Sequence, residues 1–475
     1  MTRRLRLAGL TLAFSSFLGA SAWADDLLQV YDQALVNDPQ IREADATRLA
    51  TREARPQAIA ALLPQASGTA SRTRDWSSGT GFSQLVIGNT PQNSPTGGNS
   101  VNNTDTWRLQ IRQNVFSFAN WTTLRAANHI VAQSEADYLA AQQNLAQRVS
   151  QQYFAVLSAQ DVVEATEAAR DAITRQLDQA ERRFDVGLIA ITDVQEARAA
   201  RDLAAADAIA AKRALASAQE QLRATIGVKP ELLNKPAETM PLLTPEPATP
   251  EDWVRVSMDQ NAALISSRLA ADIARDAVRT AFGGHLPTVD LVAGRSYTDA
   301  DGYRLLPDGV TQTNSASQGY GKSVSLQFTV PLFSGGATQS RVRQTQYQWI
   351  AAKERLERTS RSTEQQARDA FLGVVSEISR VQALRQALES SQTALRATEA
   401  GYEVGTRTAV DVLQAQRNLV QARTSYSQSR YAYINNLIQL RLAAGDLDRG
   451  VLEEVNRWLT VEAPTPTPNP TPPPL

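Results

Sequence analysis

The sequence predicts a mainly α fold with a small β part. It has two structural repeats, long coiled-coil helices, and four strands per chain that must join strands from other copies. Three observations predict it. The chain repeats its own motifs in order. Two long stretches, Ala119 to Phe184 and Ala337 to Ala400, hold no proline and, apart from Gly373, no glycine. Four short stretches alternate apolar and polar residues with period two.

Residues 1–24 read as a signal peptide. Arg3, Arg4 and Arg6 precede an apolar core from Leu7 to Leu18, and Ala22-Trp23-Ala24 supplies a small-x-small cleavage site. No later segment is apolar for the ~18 residues of a membrane-spanning helix. The exported chain is then either soluble or enters a membrane as strands.

The first repeat covers 25–227 and the second 251–445. Gln110-Ile-Arg-Gln-Asn-Val-Phe-Ser117 is answered by Gln327-Phe-Thr-Val-Pro-Leu-Phe-Ser334. Phe154 is answered by Phe371, Phe184-Asp-Val-Gly187 by Tyr402-Glu-Val-Gly405, and Asp193-Val194 by Asp411-Val412. Leu63-Pro64 is matched by Leu286-Pro287, and Gly227 by Gly445. A proline-rich linker, 228–250, separates the halves. The C-terminal segment 446–475 ends in a Pro/Thr tail that cannot bury a core and is expected to be disordered or extended.

Each half has the order helix, strand, long loop, strand, very long helix, turn, helix. Val324, Leu326, Phe328, Val330 and Leu332 share one strand face. Trp107, Leu109, Ile111 and Val115 share another, and Val289, Leu291, Ala293 and Tyr297 a third. The fourth strand, 66–76, carries Arg72 and Arg74 on its apolar face. Loops are expected over 77–104 and 300–321. Seven-residue spacing along Val374, Val381, Leu388, Leu395 and Tyr402, and along Val412, Leu419, Tyr426, Tyr433 and Leu440, favours coiled-coil packing. Ala190, Ala197, Ala204, Ala211 and Ala218 form a ladder that allows close helix approach. A helix over 119–184 measures ~99 Å, and helices over 38–62 and 193–226 measure ~38 Å and ~51 Å. Two short helices end to end beside one long helix fit these lengths. Four lipid-exposed strands cannot close a barrel, so several copies must share one. A small soluble sheet capping a coiled-coil rod, an exported periplasmic scaffold, is the alternative.

Composition narrows the function. Lys and Arg total 48 against 49 Asp and Glu, so no global basic excess draws the chain onto nucleic acid. Cysteine is absent, which removes disulfides, thiolate zinc sites and a cysteine nucleophile. His129 sits alone on a helix, and His285 precedes a strand entry. Gly321-Lys322-Ser323 lacks the first glycine of a phosphate loop, because position 316 is Ala, and a strand follows it. No catalytic residue, metal or cofactor is expected.

The segments Val186-Gly187-Leu188-Ile189-Ala190-Ile191-Thr192-Asp193-Val194-Gln195 and Val404-Gly405-Thr406-Arg407-Thr408-Ala409-Val410-Asp411-Val412-Leu413 resemble the paired turns of TolC-type outer-membrane channel proteins. The resemblance extends from about Asp25 to Gly445, and the missing acyl-accepting cysteine is similar to the unlipidated branch. It implies a homotrimer with a shared twelve-stranded barrel in outer-membrane lipid and a periplasmic α-barrel. It further implies a passive exit duct for a tripartite efflux pump or a type I secretion system. The implied partners are a periplasmic adaptor protein and an inner-membrane transporter of ABC, RND or MFS type. Drug efflux and protein secretion use similar tunnels, and the sequence is compatible with both.

The resemblance also assigns residues. Val186, Gly187, Leu188, Val404, Gly405 and Thr406 correspond to the adaptor-contacting turns. Thr192, Asp193, Tyr402 and Arg407 correspond to the periplasmic gate latch between neighbouring coiled coils. Asp411 corresponds to a carboxylate ringing the entrance constriction, where Gln414 replaces a second acidic residue. On physical grounds alone, Gly187 and Gly405 read as left-handed helix caps.

Overall fold

The computed structural model describes residues 26–460 except 89, 96, 231, 239 and 307. The expected signal peptide and the Pro/Thr tail lie outside the described residues. In chain order, α1 is Leu27–Asn37, α2 Pro39–Arg52 and α3 Ala54–Ala60. Strands β1 Gln65–Gly79, β2 Phe82–Ile87, β3 Thr90–Pro95 and β4 Gly98–Phe116 follow, then helices α4 Phe118–Asp185 and α5 Ile191–Ile226. Next come β5 Lys235–Pro236, α6 Pro250–Gln260, α7 Ala262–Phe282, β6 Thr288–Leu305 and β7 Gln312–Thr329. The chain continues through α8 Ala337–Glu403, α9 Ala409–Ala444, α10 Arg449–Asn456 and β8 Leu459–Thr460.

Two compact units result. One holds the chain up to Arg42, Gln142–Arg255 and Gln366 onward; the other holds Glu43–Ala141 and Val256–Gln365.

The second unit contains a four-stranded antiparallel sheet in the order β1-β4-β6-β7. Its register explains the awkward arginines. Ala66, Ile111, Ala293 and Val324 form one row across it. Two rungs on, Trp107, Tyr297 and Tyr320 form an aromatic row, with centroids 6.3 Å and 4.8 Å apart. Arg72 lies beyond that row, opposite Asp105 at 3.5 Å. The apolar band therefore ends at the aromatic row, as at a membrane boundary, and the arginines fall outside it. Leu291, Val324, Leu326 and Phe328 on the band are exposed in the single chain.

Three expectations need correction here. The presumed loop 77–104 is largely strand: β1 and β4 continue through it, and β2 and β3 form an extra hairpin. Loop 300–321 shrinks to a turn between Leu305 and Gln312, held by Asp308 accepting from the Val310 and Thr311 amides. β7 stops at Thr329, leaving Val330 and Leu332 beyond it, because Pro331 has no N–H to offer a ladder.

The helix expected over 38–62 is broken into α2 and α3 at Glu53. Pro56 cannot donate to the Arg52 carbonyl, and its ring crowds that group. His129 is not alone. Its Nδ1 lies 3.1 Å from Oδ2 of fully buried Asp276, whose Oδ1 accepts from Arg279 at 2.8 Å. Arg125 stands 3.6 Å away. A fully buried carboxyl calls for such basic and hydrogen-bonding partners.

In the first unit, buried heptad residues confirm the coiled-coil pattern: Val374, Val381, Tyr402, Val412, Tyr433 and Leu440 all lie inside. Of the alanine ladder, Ala197, Ala204 and Ala211 are buried, while Ala190 is the exposed N-cap residue of α5. The proline-rich linker is strapped down. Tyr153 Oη donates to Asn234 O at 2.9 Å, and Leu243 N donates to Tyr433 Oη at 2.9 Å. β5 pairs with β8, which ties the linker to the C-terminal segment. Tyr431 Oη donates to Asp161 Oδ2 at 2.8 Å; burial pushes its phenol well up, so it stays a donor.

Candidate functional site

Two helix–turn–helix corners of the first unit carry the expected site residues. α4 ends with Gly187 at φ +77°. Gly187 N donates to Phe184 O and Leu188 N to Arg183 O, both at 2.8 Å. Together these bonds form a Schellman cap, which requires a left-handed residue. α8 ends the same way. Gly405 has φ +79°, its N donates to Tyr402 O at 3.2 Å, and Thr406 N donates to Gly401 O at 2.8 Å. A Cβ at either glycine would meet nothing within 4 Å, so backbone conformation alone calls for glycine there.

The second corner is tied further. Gly401 O also accepts from Arg407 N at 3.2 Å and Thr406 Oγ1 at 3.1 Å. A Cβ on Gly401 would lie 2.8 Å from Arg407 Cγ. Sequence reasoning missed this glycine; its signal is a second glycine one helical turn before the cap. The start of α9 is then fixed by a capping box. Asp411 N donates to Thr408 Oγ1 at 3.2 Å, and Thr408 N donates back to Asp411 Oδ2 at 2.9 Å. The Thr408 amide and the Thr408 hydroxyl, which donates to Asp411 Oδ2 at 3.0 Å, followed by the Arg407 charge, hold the Asp411 carboxyl below the usual range. The Thr-x-x-Asp spacing could have announced this role. Gln414 is exposed and donates to Asn418 Oδ1 at 2.9 Å.

The latch residues are not brought together within the chain. Among the described residues, Arg407 and Asp193 form no ion pair with each other. Thr192 is exposed, and Asp193 is half-buried in the first turn of α5. Tyr402 is only 7% exposed, and its Oη is buried without a protein partner. Its ring packs with Ala409 and Val412, and the Arg183 guanidinium stacks 4.6 Å from the ring centroid. Arg183 was not anticipated, because its contact links two helices far apart in sequence. The corners themselves present apolar side chains to solvent: Val186, Leu188 and Val404 are each about 70% exposed or more.

This geometry offers hydrogen-bonding and apolar contacts. Among the described residues, no group of His, Cys, Asp or Glu could hold a metal ion, and no helix is long and apolar enough to cross a membrane. The family described as outer membrane efflux protein matches residues 30–228 and 253–446. The chain belongs to that family. Its members are channel and transport proteins. Outer membrane protein TolC of Escherichia coli is 36% identical over 96% of this chain and 88% of its own length. The alkaline protease secretion protein AprF of Pseudomonas aeruginosa is 29% identical over 96% of this chain and 92% of its own. Among solved structures, the outer membrane protein VceC of Vibrio cholerae superposes with a TM-score of 0.69 at 19% identity. That superposition covers 89% of this chain and 97% of that one. As a family member, the chain resides in the outer membrane and serves as an exit duct for efflux or type I secretion.

Proposed function

We propose that the duct is a homotrimer gated at its periplasmic end by the two corners. The sheet supports the trimer: β1 and β7 each pair on one side only within the chain. Unpaired backbone edges are costly in lipid, and twelve strands from three chains would close them. In this reading 25–227 and 251–445 are two repeats joined by 228–250, residues 1–24 direct export, and 446–475 follow as a C-terminal segment. α4 and α8, of 68 and 67 residues, build the periplasmic tunnel.

The observation that carries the gate is the set of unspent groups at the corners. Arg407, Asp193 and the Tyr402 hydroxyl make no bond to one another inside the chain, which leaves them for a neighbouring coiled coil. An Arg–carboxylate bond is directional and breakable. Thr192, Asp193, Tyr402 and Arg407 then latch the entrance, Asp411 rings its constriction and Gln414 leaves it singly acidic. The exposed Val186, Leu188 and Val404, with Gly187, Gly405 and Thr406, meet a periplasmic adaptor. That adaptor connects to an inner-membrane transporter of ABC, RND or MFS type, and the duct contributes no catalysis of its own.

Arg407→Ser with Tyr402→Phe should raise single-channel conductance in planar bilayers, with light scattering in detergent still showing three chains. Unchanged conductance in intact trimers would remove the latch assignment. A monodisperse monomer would instead remove the shared barrel.

A further inference from the structure

Beside the Gly405 corner lies a cavity of about 250 Å³ between α4, α8 and α9. Gln176 of α4, Tyr402 of α8 and Val412 and Gln416 of α9 line it, with exposed Arg175 and Glu399 at the rim. Three of these side chains each hold one buried polar atom that has no protein partner: Gln176 Nε2, Tyr402 Oη and Gln416 Oε1. Tyr402 and Gln416 are more than nine-tenths buried, at 7% and 8% exposure.

The three atoms are chemically complementary. Gln176 Nε2 donates, Gln416 Oε1 accepts, and the phenol does either. All three are neutral, which gives a charged ligand no counter-ion in the interior. An apolar occupant would leave every one of them unsatisfied, a costly state for buried polar groups. A polar cavity of this size with two to four partners per water is one that water fills.

We propose that this cavity is a binding site for a cluster of ordered water that bridges Gln176, Tyr402 and Gln416. The water ties the α8–α9 pair to α4 through exchangeable bonds rather than direct ones. The site shares Tyr402 with the latch proposed above but needs no bond from Arg407 or Asp193: a phenol donates once and also accepts, so Tyr402 Oη can hold this water and still meet a neighbouring coiled coil.

The test is a crystal structure of the full chain at a resolution that shows water, without and with xenon. The wild type should show solvent density within hydrogen-bond distance of all three atoms and take up no xenon. Q176L/Y402F/Q416L should lose that density and bind xenon, as dry apolar cavities do. Xenon in the wild-type cavity, or direct protein partners for the three atoms, would overturn the proposal. Hydrogen exchange gives a second measurement if the triple variant does not crystallise. Gln416→Leu alone should speed exchange in the first turns of α9 roughly tenfold, because it strands the other two groups. The triple variant should exchange more slowly than that single variant. Equal or faster exchange in the triple variant counts against a hydrated network.

Discussion

The corners at Gly187 and Gly405 arise from matching sequence and share the same Schellman geometry, yet they are anchored differently. After Gly405, the chain bonds three times to the Gly401 carbonyl and then enters α9 through the Thr408–Asp411 capping box. After Gly187, it enters α5 through Ala190, which has no side chain to cap the helix. The position equivalent to Gly401 is Arg183, whose side chain instead covers the Tyr402 ring. One corner is fixed by its own turn; the other relies on packing of Leu177, Ala180, Val194 and Ala197 between α4 and α5. The same glycine motif therefore yields one self-supporting turn and one supported from outside.

The largest effect should come from breaking both corners alike. Proline at Gly187 or Gly405 can neither reach a φ near +78° nor donate the capping N–H, a penalty of ~3 kcal/mol or more. Transport should be abolished while crosslinked trimers still form. Loss of the trimer would mean that the corners serve folding alone.

A smaller effect should separate the corners. Gly401→Val places a Cβ 2.8 Å from Arg407 Cγ and 3.2 Å from Thr406 Oγ1 and adds two methyls beyond it. It should displace Arg407 and raise channel conductance toward that of Arg407→Ser. Arg183→Ala, at the equivalent position, opens no such clash and should change conductance less.

The smallest effect concerns the caps. Thr408→Ala should loosen the start of α9 by ~1 kcal/mol, and Ala190→Ser should tighten α5 by a similar amount. Amide hydrogen exchange in each first turn measures both. The Asp411 carboxyl is held below the ordinary value of ~3.9. Its contribution to stability is therefore complete above that value and lost as pH falls through its lower folded pKa. Protection of the α9 first turn should fall in that acid window. Asp411→Asn keeps an acceptor but carries no charge, so it should flatten the fall.

The left-handed caps were legible because a positive φ is a property of one residue: Gly187 and Gly405 announce it without knowledge of any neighbour. The heptad positions were legible for a related reason, since Val374 to Tyr402 and Val412 to Leu440 repeat within one helix. The breaks around Glu53 follow from Pro56, and the capping box from Thr408 and Asp411, so both were present in the sequence in principle. The hairpin of β2 and β3 was hidden because β2, Phe82-Ser-Gln-Leu-Val-Ile87, bunches its apolar residues instead of alternating them, and β3, Thr90-Pro-Gln-Asn-Ser-Pro95, carries two prolines that read as loop.

What the sequence determined by itself is local: where helices run, where glycine must cap them, and that four strands leave two edges open. Tertiary structure alone decided the contacts between segments distant in the chain. It set Arg183 over Tyr402, gathered Arg125, His129 and Arg279 around Asp276, and placed Gln176 and Gln416 around one cavity. Periodicity records which face of an element is buried, but not which residue of another element meets it. That choice depends on register and crossing between helices, and only the folded chain fixes them.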